Sequence, residues 1–414
     1  MSAYLKRVFP LLRLCQRQVL VCGASLFAMA AVVVSEQGPA LVTTAHAITA
    51  ANDRMTAALG KALFKRVWVP APSSTQANDG LGPLFNGRSC AQCHGADGGG
   101  RLIADDKGRL ADRGTVVRLS RADGLGDPVY GSQIQTRAVP GLAPEASVRI
   151  TFETHTETFA DGAVIAMRRP VVALDAMSNG PLAAGTEATL VVAPSLRTAA
   201  RIAKVDSKTA AFGLKAHGVS LEEMTSLAFL RDLGLSTPRF ANVAGDCTPT
   251  QTACLAAPHG AALGGAEISA EIVAPIAHYL TTLDEAATAE APADPRGAKL
   301  FGQAGCASCH TPEMPARDGT PVSLYSDLAL HDMGAALAGL TEANGQSRDV
   351  WRTAPLIHIQ SRLKAGVTLL HDGRAQTVGE AILWHGGAAD SARKQYKALS
   401  KDDRAALEHY VLSR

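Results

Sequence analysis

Two short runs carry the chemistry of this chain: Cys90-Ala91-Gln92-Cys93-His94 and Cys306-Ala307-Ser308-Cys309-His310. Both are C-x-x-C-H. In that pattern each thiol can add across a haem vinyl group, and the adjacent histidine can ligate the iron from the proximal side. A zinc knuckle would need four ligands from two such pairs, and these pairs lie far apart in the chain. A redox dithiol does not need the histidine and seldom occurs twice. The runs therefore predict two covalently bound c-type haems. Cys90, Cys93, Cys306 and Cys309 would be the attachment points, with His94 and His310 on the irons.

Further ligands are sought near the C-terminal end, in HDGRAQTVGEAILWHGG (371–387). Thr377-Val378-Gly379-Glu380 is a capping box, a hydroxyl and a carboxylate that satisfy the first free N–H groups of a helix. Val378, Ala381, Ile382 and His385 then share one apolar face, so His385 has either an iron or a core hydrogen-bond acceptor as partner. His371 precedes the helix in a loop, where a haem propionate or a backbone carbonyl could take its proton. A matching capping box stands at Ser220-Leu221-Glu222-Glu223. Aligning the two boxes places Ala228 at the position of His385 and Leu214 at that of His371. The two irons are thus expected to be unequal, one closed by His310 and His385, the other open beyond His94. Met224, one turn before Ala228, is the reserve ligand there. A closed iron favours electron transfer and an open one binds small molecules.

Of eight cysteines, Cys15 and Cys22 lie in the first segment and four are taken by the haem motifs. Cys247 and Cys254 remain, in a polar loop, and read as a local disulfide or, less simply, as a catalytic dithiol. Residues 1–47 have a basic start, an apolar run from Val19 to Val34 and Ala45-His46-Ala47 as a cleavage signal. The run is shorter than the ~20 residues of a membrane span. Export to the periplasm is the expectation, with membrane contact only if the segment stays uncleaved. The net charge of +2 comes largely from that segment. A nearly neutral remainder argues against nucleic acid as a partner.

Elements that would position these residues repeat coarsely. Leu59–Trp68 and Asp294–Phe301 lead into the two haem motifs. Ser269-AEIVAPIAHYLTTL and Ser400-KDDRAALEHYVLSR align without a gap, each with a serine N-cap, and pair His278 with His409 as surface or interface residues. Between them, Val148–Leu174 alternates polar and apolar residues around Asp161-Gly162, a hairpin signal that places His155 on a solvent-facing strand position. The expected fold is mainly α: two cytochrome-c-like haem domains, 48–287 and 288–414, the first with a β-rich insertion around 110–205.

In GPLFNGRSCAQCHGADGGGR (82–101), FADGAVIAMRRP (159–170), DLGLSTPRF (232–240), YSDLALHDMG (325–334), WRTAPL (351–356) and LHDGRAQTVGEAILWHGG (370–387) the chain resembles the dihaem oxidoreductase family. Its members are also labelled thiol oxidoreductases and are related to bacterial dihaem cytochrome c peroxidases. The resemblance implies that His385 is the distal ligand of the electron-transferring haem, with His331 and Met333 as competitors. In those peroxidases a tryptophan, a glutamine and a glutamate surround the open haem. Here Leu214 and Met224 stand at the first two positions, and Asp232 is the acid left near the third. The implied function is a periplasmic dihaem oxidoreductase with Asp232 as its proton-handling group. Its electron partner would be a small redox protein or a quinol-linked carrier. A pure electron carrier and a thiol-active protein are the alternatives.

Overall fold

The computed structural model describes residues 40–95, 98–110, 114–205, 212–261, 265–284, 294–342 and 346–414. The apolar run of the first segment lies outside them. Among the described residues no helix is long and apolar enough to cross a membrane. Residues 57–414 form one compact unit.

The principal helices are α1 (Ala40–Lys65), α2 (Leu221–Leu233), α3 (Ala270–Thr281), α4 (Pro295–Gln303), α5 (Val378–Leu383) and α6 (Lys401–Leu412). Both capping boxes form. Ser220 Oγ accepts from Glu223 N at 3.1 Å, and Thr377 Oγ1 accepts from Glu380 N at 3.1 Å. Each glutamate reaches back to the residue before the cap, Val219 or Gln376. The helices then differ in length: Gly234 in the left-handed conformation ends α2, whereas α5 stops after two turns at Trp384.

The gap-free alignment of α3 with α6 has a packing counterpart. A Cβ on Gly60 of α1 would overlap the Pro275 carbonyl oxygen and come within 2.7 Å of Tyr279 Cβ. One on Gly297 of α4 would overlap the Ala406 carbonyl oxygen and come within 2.6 Å of Tyr410 Cβ. Pro275 and Ala406 are equivalent in the alignment, as are Tyr279 and Tyr410. Each half therefore crosses its leading helix over its terminal helix at a glycine, because only hydrogen lets the backbones approach so closely.

The expectation of a mainly α fold with two cytochrome-c-like domains is overturned. The structure has 33% helix and 19% strand with several small sheets, so it is not mainly α, and no cytochrome-c-like domain is shown among the described residues. Five two-stranded antiparallel ribbons are described. The long one joins Ser147–Thr158 (β2) to Val164–Asp175 (β3) across the Asp161-Gly162 turn; a second joins Thr115–Ser120 (β1) to Glu187–Val192 (β4). In the C-terminal half, Leu330–Asp332 (β5) pairs with Val350–Arg352 (β6). The shorter ribbons are two or three residues per strand, too brief to display a period of two in sequence.

Three cores result. The first gathers Leu63, Trp68, Phe229 and Ile276, and takes Leu324, Leu328 and Ile357 from the C-terminal half. The second gathers Phe301, Tyr325, Leu383, Leu407 and Tyr410, and takes Met167 from β3. The third, under the ribbons, holds Val117, Leu119, Tyr130 and Ile134. Exchange of residues between cores fastens the halves into one unit.

Candidate functional site

The first motif forms one helical turn, Cys90–Cys93, capped by Ser89, whose hydroxyl accepts from Gln92 N. His94 Nδ1 lies 2.8 Å from the Gly98 carbonyl. A carbonyl only accepts, so Nδ1 carries the proton and Nε2 keeps its lone pair for a metal. Burial lowers the His94 pKa, favouring the neutral, ligating form. Burial first and the neighbouring Asp232 second push both thiols up to about 12. Neither is a thiolate at neutral pH, which disfavours a reactive dithiol here.

Asp232, near the end of α2, is the charged neighbour of His94 and of both thiols. Burial raises its carboxyl pKa above the ordinary range. Its Oδ1 accepts from Gln133 Nε2 at 2.9 Å. Gln133 comes from the β-rich segment, and sequence reasoning missed it because nothing local marks a residue whose partner is ninety-nine positions away. Asn86 joins the same region: it donates to the Ile134 carbonyl and to Gln135, and its backbone N–H reaches the Asp232 carbonyl. Met224 is half-buried and borders the same core as Cys90, with its sulfur packed against Gly218. A cavity of about 470 Å³ touches Cys93 but neither Cys90 nor His94, so the fit of a haem at the first motif rests on the donor set.

The second motif fits a haem on geometry as well. A cavity of about 450 Å³ is bordered by Cys306, Cys309, His310 and His385, with His331 and Met333 also on its wall. Its lining is largely apolar. The buried Thr368 hydroxyl on that wall is without a hydrogen-bond partner. His310 Nδ1 is bonded to the Tyr325 carbonyl at 3.0 Å and His385 Nδ1 to the Ala381 carbonyl at 2.7 Å. Both rings therefore keep Nε2 for the cavity. Burial, then the nearby His385, pushes His310 down to about 4, and burial lowers His385 too. Two imidazoles, each with its pKa lowered by burial, thus border one cavity.

The competitors are differently placed. His331 Nε2 is engaged by Asp327 at 2.8 Å, while Met333 is partly buried against the second core. His385 itself lies just beyond α5 rather than within it, held by its N–H on the Ile382 carbonyl. His371 lies in the turn before α5. It is buried, stacked on Trp351 at 4.2 Å and 12°, and held down to about 4 by burial. His155 is exposed on its strand, as expected, with its ring centroid 5.0 Å from that of Trp384. Cys247 and Cys254 are bonded to each other.

Two C-x-x-C-H turns, each with a partly buried histidine whose Nδ1 is tied to a backbone carbonyl, define the class of a redox protein that can hold two metal-bearing groups. A family model described as "Di-haem oxidoreductase, putative peroxidase" matches residues 207–414, half of the chain. The chain belongs to this di-haem oxidoreductase family. Membership implies two haems and a redox function. No curated protein and no solved structure matches it.

Proposed function

We propose that this chain is an exported c-type dihaem oxidoreductase. In this reading electrons pass through a haem at Cys306, Cys309 and His310, closed by His385. A small-molecule substrate meets a haem at Cys90, Cys93 and His94. The observation that carries the reading is the pair of imidazoles at one cavity, both with Nδ1 tied to backbone carbonyls. At the first motif the charged neighbour of the histidine is instead a carboxyl group, Asp232.

Haem supplies an iron that stores an electron and, where a position is free, binds a small ligand. The protein supplies the rest. His310 and His385 hold neutral rings in fixed tautomers. Asp232 places a carboxyl group whose pKa is raised by burial near the first motif, and Gln133 orients its Oδ1. Such a group can give and retake a proton near the first motif. Compared with the glutamine and glutamate of the related peroxidases, this acid set is reduced, which favours modest peroxide turnover. The first segment, read as an export signal, is consistent with thioether attachment in the periplasm. A small redox protein or a quinol-linked carrier is the proposed electron partner.

The test is spectroscopic. Mass spectrometry of the purified protein should show two haem additions, and spin resonance should resolve one low-spin and one high-spin haem. His385→Ala should convert the low-spin signal into a second site that binds added ligands, while Met224→Ala should leave the spectrum unchanged. If Met224→Ala instead opens a site and His385→Ala opens none, the assignment is wrong and a simple electron carrier becomes the better description.

A further inference from the structure

Arg352 ends β6 and stands on the wall of the cavity that carries Cys306, Cys309, His310 and His385. Its Nε donates to the Gly213 carbonyl at 2.9 Å, and one terminal amino group donates to the Thr353 carbonyl at 2.9 Å. Among the described residues no carboxylate pairs with it, and its other amino group has no hydrogen-bond partner. Burial alone lowers the guanidinium to about 10, with no acid acting in the opposite direction. Arg393, another arginine on this wall, is paired with Glu157 and Asp390. Arg352 is the contrast.

A buried cation without a counter-ion is strongly unfavourable, and a protein that keeps one has an anion arriving from elsewhere. Arg352 is deeply embedded yet retains some accessible surface, and that surface borders the cavity. The cavity is otherwise mostly apolar, suited to the body of a porphyrin and not to its charged edge. We propose that Arg352 pairs with a propionate of the second haem and, by holding positive charge beside the ring, raises that haem's reduction potential. The proposal rests on the reading that this cavity takes a haem. Guanidinium is the side chain suited to it, because its planar donors match a carboxylate.

A purely mechanical role is the competing explanation, since Arg352 also braces Gly213 against β6. Two substitutions separate them. Arg352→Gln removes the charge; Arg352→Lys keeps it but cannot reproduce both carbonyl bonds. The measurements are haem count by mass, potentiometric titration of each haem, and the propionate bending band in resonance Raman spectra. With two haems retained, Arg352→Gln should lower the ratio of reduced to oxidised second haem about tenfold at fixed potential, about 59 mV for one electron. The first haem should not move, the propionate band should shift, and Arg352→Lys should recover most of the potential. Equal shifts in both variants, or none in either, would overturn the proposal. If Arg352→Gln does not accumulate, Arg352→Lys decides: a near-native second potential supports the charge role, and a full tenfold loss sinks it. A native protein with no haem at the second motif refutes the underlying reading instead.

Discussion

At Glu145, burial and hydrogen bonding pull in opposite directions. The side chain is 1% exposed. Its oxygens accept from the Gln135 backbone N–H and from Gln251 Nε2, each at 2.6 Å. Burial is the larger effect and, with smaller pushes from Asp246 and Asp127, it raises the carboxyl from 4.5 to about 8. A folded pKa above the unfolded one means the folded state binds the proton more tightly. The associated stability is complete below about pH 4.5, declines as pH rises, and is lost once pH passes about 8, at roughly 1.4 kcal/mol per unit. Glu145→Gln should therefore flatten the fall of the guanidinium unfolding midpoint between pH 5 and about 8. An unchanged slope in the variant would assign that pH dependence to other groups. Glu145, Gln133 and Gln135 were invisible as a cluster in sequence, because their polar partners come from segments folded together only by the ribbons. The two C-x-x-C-H runs were legible for the opposite reason: each folds as one local turn, so its spacing already brings its residues together.

Among the elements, the capped helices were readable where side chain and backbone meet within four residues, as at Ser220 and Thr377. Their lengths were not. Nothing in the boxes says that α2 continues to Leu233 while α5 stops at Leu383, which moves His385 off the helix and leaves Ala228 inside one. The strand content was underestimated because β5 and β6 have three residues each. The repeat was legible through α3 and α6, and its packing gives a sharp test. Gly297→Ala would press a methyl group into the Ala406 carbonyl and Tyr410. Neither neighbour is a free chain end, so α4 and α6 must separate. Overpacking of this kind costs about 1–3 kcal/mol. Thermal unfolding of Gly297→Ala should show that loss, whereas Gly302→Ala in the same helix, with no atom near the added methyl, should not. Equal melting of both variants would mean that the crossing is looser than described.

At the scale of the whole molecule, the sequence reading divided the chain near residue 287, yet Asp284 gathers partners from both sides of that point. Arg201 Nε and Lys204 Nζ donate to its two oxygens at 2.9 and 2.8 Å, and His358 Nε2 lies 3.5 Å away. Arg201 also donates to the Ser323 carbonyl at 3.2 Å. Burial works to raise the Asp284 pKa, but the bonds from His358, Arg201 and Lys204 outweigh it and hold the carboxyl well below its usual range. A depressed folded pKa contributes stability that is present above the unfolded value, ~3.9, and is lost as pH falls through the folded value. Asp284→Asn leaves two basic side chains facing a neutral amide in a mostly buried place. Breaking such a cluster from one side costs about 3–5 kcal/mol, and here the loss would fall on the junction of the first core with Leu324 and Ile357. Guanidinium unfolding at pH 7 should show the full difference between Asp284→Asn and the native protein. As pH is lowered below ~3.9 the native carboxylate begins to lose its own advantage, so the gap should narrow. A gap that stays constant with pH would mean that Asp284 acts by shape and not by charge, and the fastening of the halves would then rest on their shared apolar core.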